Sequence, residues 1–208
     1  MASEKHKVFI SYHHANDQGY KEALLEFNRR FDLFLDCSVD TGDIDEDLDD
    51  DSIRRIVRDD YLRDSSVTIV LVGSETKYRK HVDWEIYSSM YDGPVNKKSG
   101  VLVINLPTTG CTYYNAAHGD TEKRIVYPAT QNWISITKRN EYELRYPYMP
   151  DRIIDNLLKP GAKVSVTNWD LLTADNLRLL IDLTFNDRSA CDYDLSRSMR
   201  RANAATRG

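Results

Sequence analysis

Short apolar runs alternate with helical patterns along the first half of the chain. Four runs rich in aliphatic, β-branched or aromatic residues span residues 7–12, 33–39, 67–72 and 100–106. Each has the length and composition of a β-strand. The run VTIVLV at 67–72 contains no charged residue, a pattern typical of a strand buried on both faces. We therefore predict that it is the central strand of a sheet.

Between the runs, apolar residues recur every three or four positions, which predicts amphipathic helices. Asn16-Asp17, just before the first of these stripes, is a helix-capping signal. There are three stripes: Tyr20, Ala23, Leu24, Phe27 and Phe31; Ile53, Ile56, Val57 and Tyr61; and Val82, Ile86 and Met90. Alternating strands and helices predict an α/β fold, a central parallel sheet with helices on both faces. Ligands of such sheets bind at the carboxyl ends of the strands, so we expect the chemistry in the loops after Tyr12, Val39 and Val72.

The second half of the chain is less periodic. A long segment at 107–128 is a candidate binding loop or flap, and residues 133–137 are predicted to form a fifth strand. Asp151 and Thr173 are predicted to cap two further helices. We expect one domain over residues 1–190, with a core at about 5–137 and a helical elaboration at 138–190. Residues 191–208 are polar, with several arginines, and are expected to form a flexible tail.

Composition narrows the classes of function. Hydrophobic residues make up 41% of the 208 positions and the formal net charge is −5, so a packed core is expected and binding to nucleic acid or to an anionic membrane is disfavoured. The sequence contains no run of about 18 apolar residues and no signal-peptide pattern, which favours a cytoplasmic location. Three widely spaced cysteines are expected to stay reduced.

Common catalytic motifs are absent. The sequence has no Walker A motif, no G-x-G-x-x-G after the first strand, no H-E-x-x-H and no G-x-S-x-G. The acidic run at 40–51 lacks the glycine and the glutamate that an EF-hand loop requires. His13 and His14 have no third potential metal ligand at a spacing typical of metal sites. We therefore predict no metal site and interpret the acidic run as a solvated loop that leads into a helix.

Glu85 is the most informative acidic residue. It lies at the border of the stripe formed by Val82, Ile86 and Met90, so periodicity places it neither fully inside nor fully outside. One interpretation is an ordinary surface glutamate. The other is a partly buried carboxyl group that faces the crevice at the strand ends, where burial would tune its pKa.

Two segments resemble a known family. KVFISYHHAND near the N-terminus resembles the first box of TIR domains, and more closely that of the TIR-like family of Thoeris antiphage defence; SSVTIVLVGSETKYRKHVDWEI at 65–86 resembles the third strand, loop and helix of the same family. With GVLVINLP, the similarity covers residues 5–107. It implies a flavodoxin-like TIR fold and, in the catalytic branch, cleavage of the nicotinamide bond of NAD by a glutamate that matches Glu85.

The same resemblance implies the surroundings of that glutamate. Substrate contacts are expected from Phe9, Ser11, Tyr12, His13, His14, Asp40, Ser74, Thr76, Arg79 and Trp84. NAD would be the substrate rather than a cofactor, and the ADP-ribosyl unit would be cyclised into a diffusible signal that activates a separate effector protein. Tyr113-Tyr114 is a candidate lid, and a homo-oligomer is a further expectation. Two alternatives remain, a non-catalytic interaction module and a nucleotide sensor without turnover.

Overall fold

The computed structural model describes residues 5–38 and 48–204. Five parallel strands form one sheet in the order β2-β1-β3-β4-β5. They are β1 (Lys7–Ser11), β2 (Leu35–Asp36), β3 (Val67–Val72), β4 (Gly100–Asn105) and β5 (Val164–Asn168). This order is that of flavodoxin-like folds, and it confirms the predicted α/β class.

Seven helices surround the sheet among the described residues. They are α1 (His14–Phe31), α2 (Asp50–Ile56), α3 (Lys80–Met90), α4 (Asp120–Val126), α5 (Arg139–Arg145), α6 (Asp151–Leu158) and α7 (Ala174–Asp187). A π-helical turn, Val57–Tyr61, continues α2. Thr173 caps α7 as predicted, because its side chain accepts a hydrogen bond from the Asn176 N–H. The predicted caps at Asn16-Asp17 and Asp151 are wrong, since both sites lie inside their helices.

Alternate strand residues build a core on each side of the sheet. Ile69 and Leu71 of β3 pack with Leu24 of α1 and Leu177 of α7. Val70 and Val72 point the opposite way and pack with Ile86 of α3. All six residues of β3 are buried, as expected of a central parallel strand that is covered on both faces.

The strand predicted at 133–137 is wrong. That segment has no regular secondary structure, and Trp133 and Ile134 are exposed. The fifth strand is β5, whose polar residues Ser165 and Asn168 are buried and hydrogen-bonded. The second strand is also shorter than the predicted 33–39, because β2 lies at the sheet edge and pairs with β1 through two residues only.

The last of the described residues pack against the domain. Residues 191–204, which we call the C-terminal strap, were expected to be flexible. Instead Cys191, Tyr193 and Met199 are buried, and the Lys80 N–H donates to Asn203 Oδ1 at 3.0 Å. The expectation of a loose tail is therefore wrong for these residues, because three apolar side chains of the strap complete the core beside α3. No helix among the described residues is long and apolar enough to cross a membrane.

Candidate active site

The strand order of the sheet reverses at β1, and we call the edge between the loops after β1 and β3 the crevice. The chain leaves β1 toward β2 on one side, whereas β3 lies on the other side of β1. The loops after β1 and β3 therefore diverge at their carboxyl ends, which is the usual place for a ligand in an open parallel sheet. Ser11 ends β1, and Gly73 to Thr76 follow β3.

Glu85 of α3 reaches this end of the sheet. Ser11 Oγ donates a hydrogen bond to Glu85 Oε2 at 2.6 Å, and Glu85 is 3% exposed. Burial disfavours the charged form and raises the pKa of Glu85 to about 8, although the Ser11 hydrogen bond acts in the opposite direction. The carboxyl group is therefore mostly protonated at neutral pH in the free protein. Its burial excludes the interpretation of Glu85 as an ordinary surface glutamate.

A second buried carboxyl group joins the two loops. Thr76 Oγ1 donates to Asp17 Oδ2 at 3.2 Å and accepts the Gly73 N–H at 2.8 Å. The Asp17 carboxyl lies so close to Gly73 that a Cβ atom there would be 2.4 Å from Oδ1. Burial raises the pKa of Asp17, and the Thr76 hydrogen bond partly offsets this. Sequence reasoning treated Asp17 only as a helix cap, and the short spacing from β1 was the one signal that could have placed it in the crevice.

The remaining polar residues lie around this pair of loops. Burial, and next the charge of Arg79, lower the pKa of His13, whose Nδ1 is buried without a hydrogen-bond partner among the described residues. Arg79 forms an ion pair with Glu75. Ser74 is partly exposed in the loop between Gly73 and Thr76. The structure thus brings His13, Thr76 and Arg79 to the same end of the sheet.

Other predicted contact residues lie elsewhere. Tyr12 packs in the core beneath α1, donates to Gln18 Oε1 at 2.5 Å and stacks with His14 at 4.4 Å between ring centroids. Phe9 and Trp84 pack together in a small apolar cluster with Met199 of the strap. The Trp84 indole N–H donates to the Arg200 carbonyl at 2.8 Å, so this ring packs under the strap instead of facing the crevice. Asp40 lies outside the described residues.

The candidate lid covers different strands. The Tyr113 carbonyl accepts a hydrogen bond from Asn105 at the end of β4, and Tyr114 stacks on Tyr127 at 4.3 Å. Both tyrosines line a cavity of about 190 Å³ with Trp133. This aromatic loop therefore lies over the ends of β4 and β5, away from Ser11.

A further group of hydrogen-bonded polar residues was not predicted from the sequence. Ser165 Oγ lies 2.9 Å from His118 Nε2, and His118 Nδ1 lies 3.0 Å from Asp187 Oδ2. The order of groups is that of a Ser-His-Asp triad. Ser165 is 1% exposed, however, and its Oγ also accepts the Ala117 N–H at 3.1 Å. The network therefore fastens the segment before α4 to β5 and leaves no approach to the hydroxyl.

Comparison with known families finds a match over about half of the chain. Residues 9–110 match the family model described as Thoeris protein ThsB, TIR-like domain. No curated protein matches the chain. The matched segment runs from β1 past β4 and contains Ser11, Thr76 and Glu85. Residues 9–110 are thus a TIR-like domain of the Thoeris ThsB family.

Proposed function

We propose that this Thoeris TIR-like protein is an NAD-cleaving enzyme of antiphage defence that works in the cytoplasm. The observation that carries the proposal is the buried carboxyl group of Glu85, hydrogen-bonded to Ser11 at the crevice of the sheet. A carboxyl group whose pKa is shifted by burial and which lies at a ligand-binding edge is a candidate catalytic group. NAD is the substrate, and the residues that hold it surround this carboxyl.

The reaction breaks the bond between the ribose C1′ and the nicotinamide nitrogen. Nicotinamide leaves with the electron pair as a neutral molecule, so no general acid is required, and positive charge develops on the ribose. A carboxylate beside the ribose stabilises that charge, as in other glycosidic cleavages. The cationic nicotinamide riboside of bound NAD favours the ionised form of Glu85 and lowers its pKa. Substrate binding would then supply the carboxylate.

The fate of the ADP-ribosyl unit distinguishes two products. Attack by water gives ADP-ribose and one proton, whereas attack by a hydroxyl of the same molecule releases that hydroxyl's proton and gives a cyclic product. We propose the cyclic product, a diffusible signal that activates a separate effector protein. Exclusion of water from the site favours this route, and the near-complete burial of Glu85 supports it.

Neighbouring residues have proposed roles around the carboxyl. Ser11 orients Glu85 by its hydrogen bond, and Arg79 can meet the pyrophosphate with charge-assisted hydrogen bonds. His13 contacts the nucleotide as a neutral imidazole, since burial lowers its pKa. Asp40, a further proposed substrate contact, lies outside the described residues, and a homo-oligomer is part of the proposal.

A non-catalytic interaction module is the second candidate, with a nucleotide sensor without turnover as its variant. One observation favours it, namely that the described residues leave Glu85 only 3% exposed. A substrate must therefore displace part of the site to reach the carboxyl. In this candidate the Ser11–Glu85 pair joins α3 to β1 and has no chemical role.

Nicotinamide release from NAD by the purified full chain at high protein concentration tests the proposal. We expect release by the wild type, loss in Glu85→Gln, and wild-type release in Glu141→Gln, which alters an exposed glutamate of α5. Mass spectrometry of the nucleotide should give ADP-ribose minus one water. No release from the wild type, including in cells challenged by phage, would reject the enzyme; tight NAD binding without release would favour the sensor.

A further inference from the structure

A second cavity lies beside α3, between the loop after β3, the start of α6 and the C-terminal strap. Its volume is about 170 Å³, room for roughly five or six water molecules at about 30 Å³ each. Its charged lining residues are Lys77, Arg79, Arg197, Arg200, Asp83 and Asp151. Glu85 and Ser11 do not line it, whereas Thr76 and Arg79 do, so it adjoins the crevice described above and shares these two residues with it.

The charge of this cavity is positive. Four cationic side chains face two carboxylates, and one of these, Asp83, is already neutralised by the buried Arg152 at 2.9 and 3.0 Å. The other, Asp151, meets Arg197 at 3.8 Å and Arg200 at 4.0 Å, beyond hydrogen-bond distance. Outside the lining, Glu75 pairs with Arg79 and Asp155 with Arg197, so Lys77 and Arg200 supply the remaining positive charge. The remaining positive charge, in a protein of net charge −5, favours an anionic ligand.

One donor at the cavity has no acceptor in the described part of the chain. Arg79 Nε is buried and has no hydrogen-bond partner among the described residues. A buried donor without an acceptor costs free energy, which an incoming anionic oxygen can recover. Lys77 and Arg197 are held in place by their own partners, the Pro147 carbonyl and Asp155. The cations are thus arranged before a ligand arrives, which reduces the entropy lost on binding.

We propose that this cavity is a second site, which binds a phosphoryl or pyrophosphoryl group. Guanidinium groups match phosphate oxygens in geometry and charge. A phosphoryl group also offers more acceptor oxygens to these donors than a single carboxylate does. The site goes beyond the proposed NAD cleavage: it shares Arg79 with that proposal, but its test does not require turnover.

Arg200 is the residue of choice for a test. Its backbone N–H donates to Asp83 Oδ2 at 2.8 Å, and its carbonyl accepts the Trp84 indole N–H. These backbone bonds remain in Arg200→Gln, so the strap should keep its place while the cavity loses one cation. Arg29→Gln is a matched control, because Arg29 is an exposed arginine of α1 that pairs with Glu26.

Isothermal titration of the full chain with inorganic phosphate and with pyrophosphate, at low ionic strength, measures the site. We expect binding by the wild type and a Kd about tenfold weaker in Arg200→Gln, because one charge-assisted hydrogen bond is lost. Arg29→Gln should bind as the wild type does. The melting temperature of each variant confirms its fold, and Arg197→Gln provides a second variant should Arg200→Gln unfold.

Absence of binding at millimolar anion would overturn the proposal. Equal weakening by Arg29→Gln and Arg200→Gln would also overturn it, since it would indicate diffuse attraction to surface charge. Competition between ADP-ribose and pyrophosphate then identifies the source of the group. If ADP-ribose competes with pyrophosphate, the natural ligand is the phosphate of a nucleotide. If it does not compete, the natural ligand is a free phosphate. Both results support a site for a phosphoryl group. None of these readouts requires NAD cleavage, so the two proposals can fail separately.

Discussion

The hydroxyl of Ser11 and the carboxyl of Glu85 lie 2.6 Å apart, although 74 positions separate them in the chain. The contact exists because β1 pairs directly with β3 and because α3, which follows β3, packs back across β1. Ser11 and Phe9 face α3, whereas Val8 and Ile10 face the opposite core. The alternation of strand residues thus selects which β1 side chain meets Glu85.

Glu85→Gln should stabilise the folded protein, and more so as the pH rises. The pKa of Glu85 is raised from 4.5 to about 8 in the folded state, so folding favours the protonated form and loses stability as the pH increases between these values. At pH 7 the gain from Gln should be at most about 3 kcal/mol, and near zero at pH 4. Denaturant unfolding at pH 4, 6 and 8 measures it. A difference that stays constant with pH would contradict the assignment.

Under the proposed function, kcat/KM for nicotinamide release should rise with pH and level off above about 8, because free Glu85 must lose its proton. Ser11→Ala removes the hydrogen bond that lowers the pKa of Glu85, so the midpoint should move to higher pH. Ser88→Ala is the control, since this buried serine of α3 has no hydrogen-bond partner among the described residues. A midpoint that Ser11→Ala leaves in place would assign the pH dependence to another group.

Arg152→Ala should cost about 3–5 kcal/mol of unfolding free energy, because it leaves Asp83 largely buried without its charge partner. Arg152 also donates to the carbonyls of Arg197 and Ser198, so its loss should loosen the C-terminal strap. Limited trypsin digestion should then cut earlier at Arg197 and Arg200.

Arg29→Ala serves as the comparison for Arg152→Ala, since exposed ion pairs contribute only about 0–1 kcal/mol. Replacing both partners by apolar residues, Arg152→Met with Asp83→Leu, should lose less stability than Arg152→Ala alone, because no unpaired charge remains. If the double variant were the less stable, the cost would have to come from packing and not from the unpaired carboxylate.

Gly73→Ala should destabilise the protein by about 1–3 kcal/mol, as overpacked buried sites do, because the new Cβ would meet the Asp17 carboxyl at 2.4 Å. Adding Asp17→Ala should recover part of that loss by removing the obstructing group. Gly19→Ala, in helix α1 with no atom within 4 Å of the new Cβ, should instead stabilise by roughly 0.5–1 kcal/mol. Thermal or denaturant unfolding of these variants gives the comparison. Equal effects at the two glycines would show that the Asp17 contact is unimportant.

The sequence alone determined the central strands and the class of fold. The run at 67–72 became β3 at the same bounds, and β1 and β4 lie within their predicted runs, because a strand covered on both faces must be apolar almost throughout. The stripe of Val82, Ile86 and Met90 likewise turned toward the core. A local pattern of apolar residues was enough to predict these strands and this helix, because the pattern in the element's own sequence shows which of its faces is buried.

The position of β5, the role of Trp84 and the burial of Glu85 were determined only by the tertiary structure. β5 was missed because its polar residues are satisfied by distant partners, such as Asn168 by Asn105, and no local pattern reveals such pairing. Trp84 became a packing residue because Arg200, 116 positions away, accepts its N–H. Glu85 stood at the edge of its stripe, and its burial followed from β1 on one side and the core on the other. The pKa of a carboxyl group depends on what surrounds it in space, so the same residue in the same helix could have been an ordinary surface glutamate.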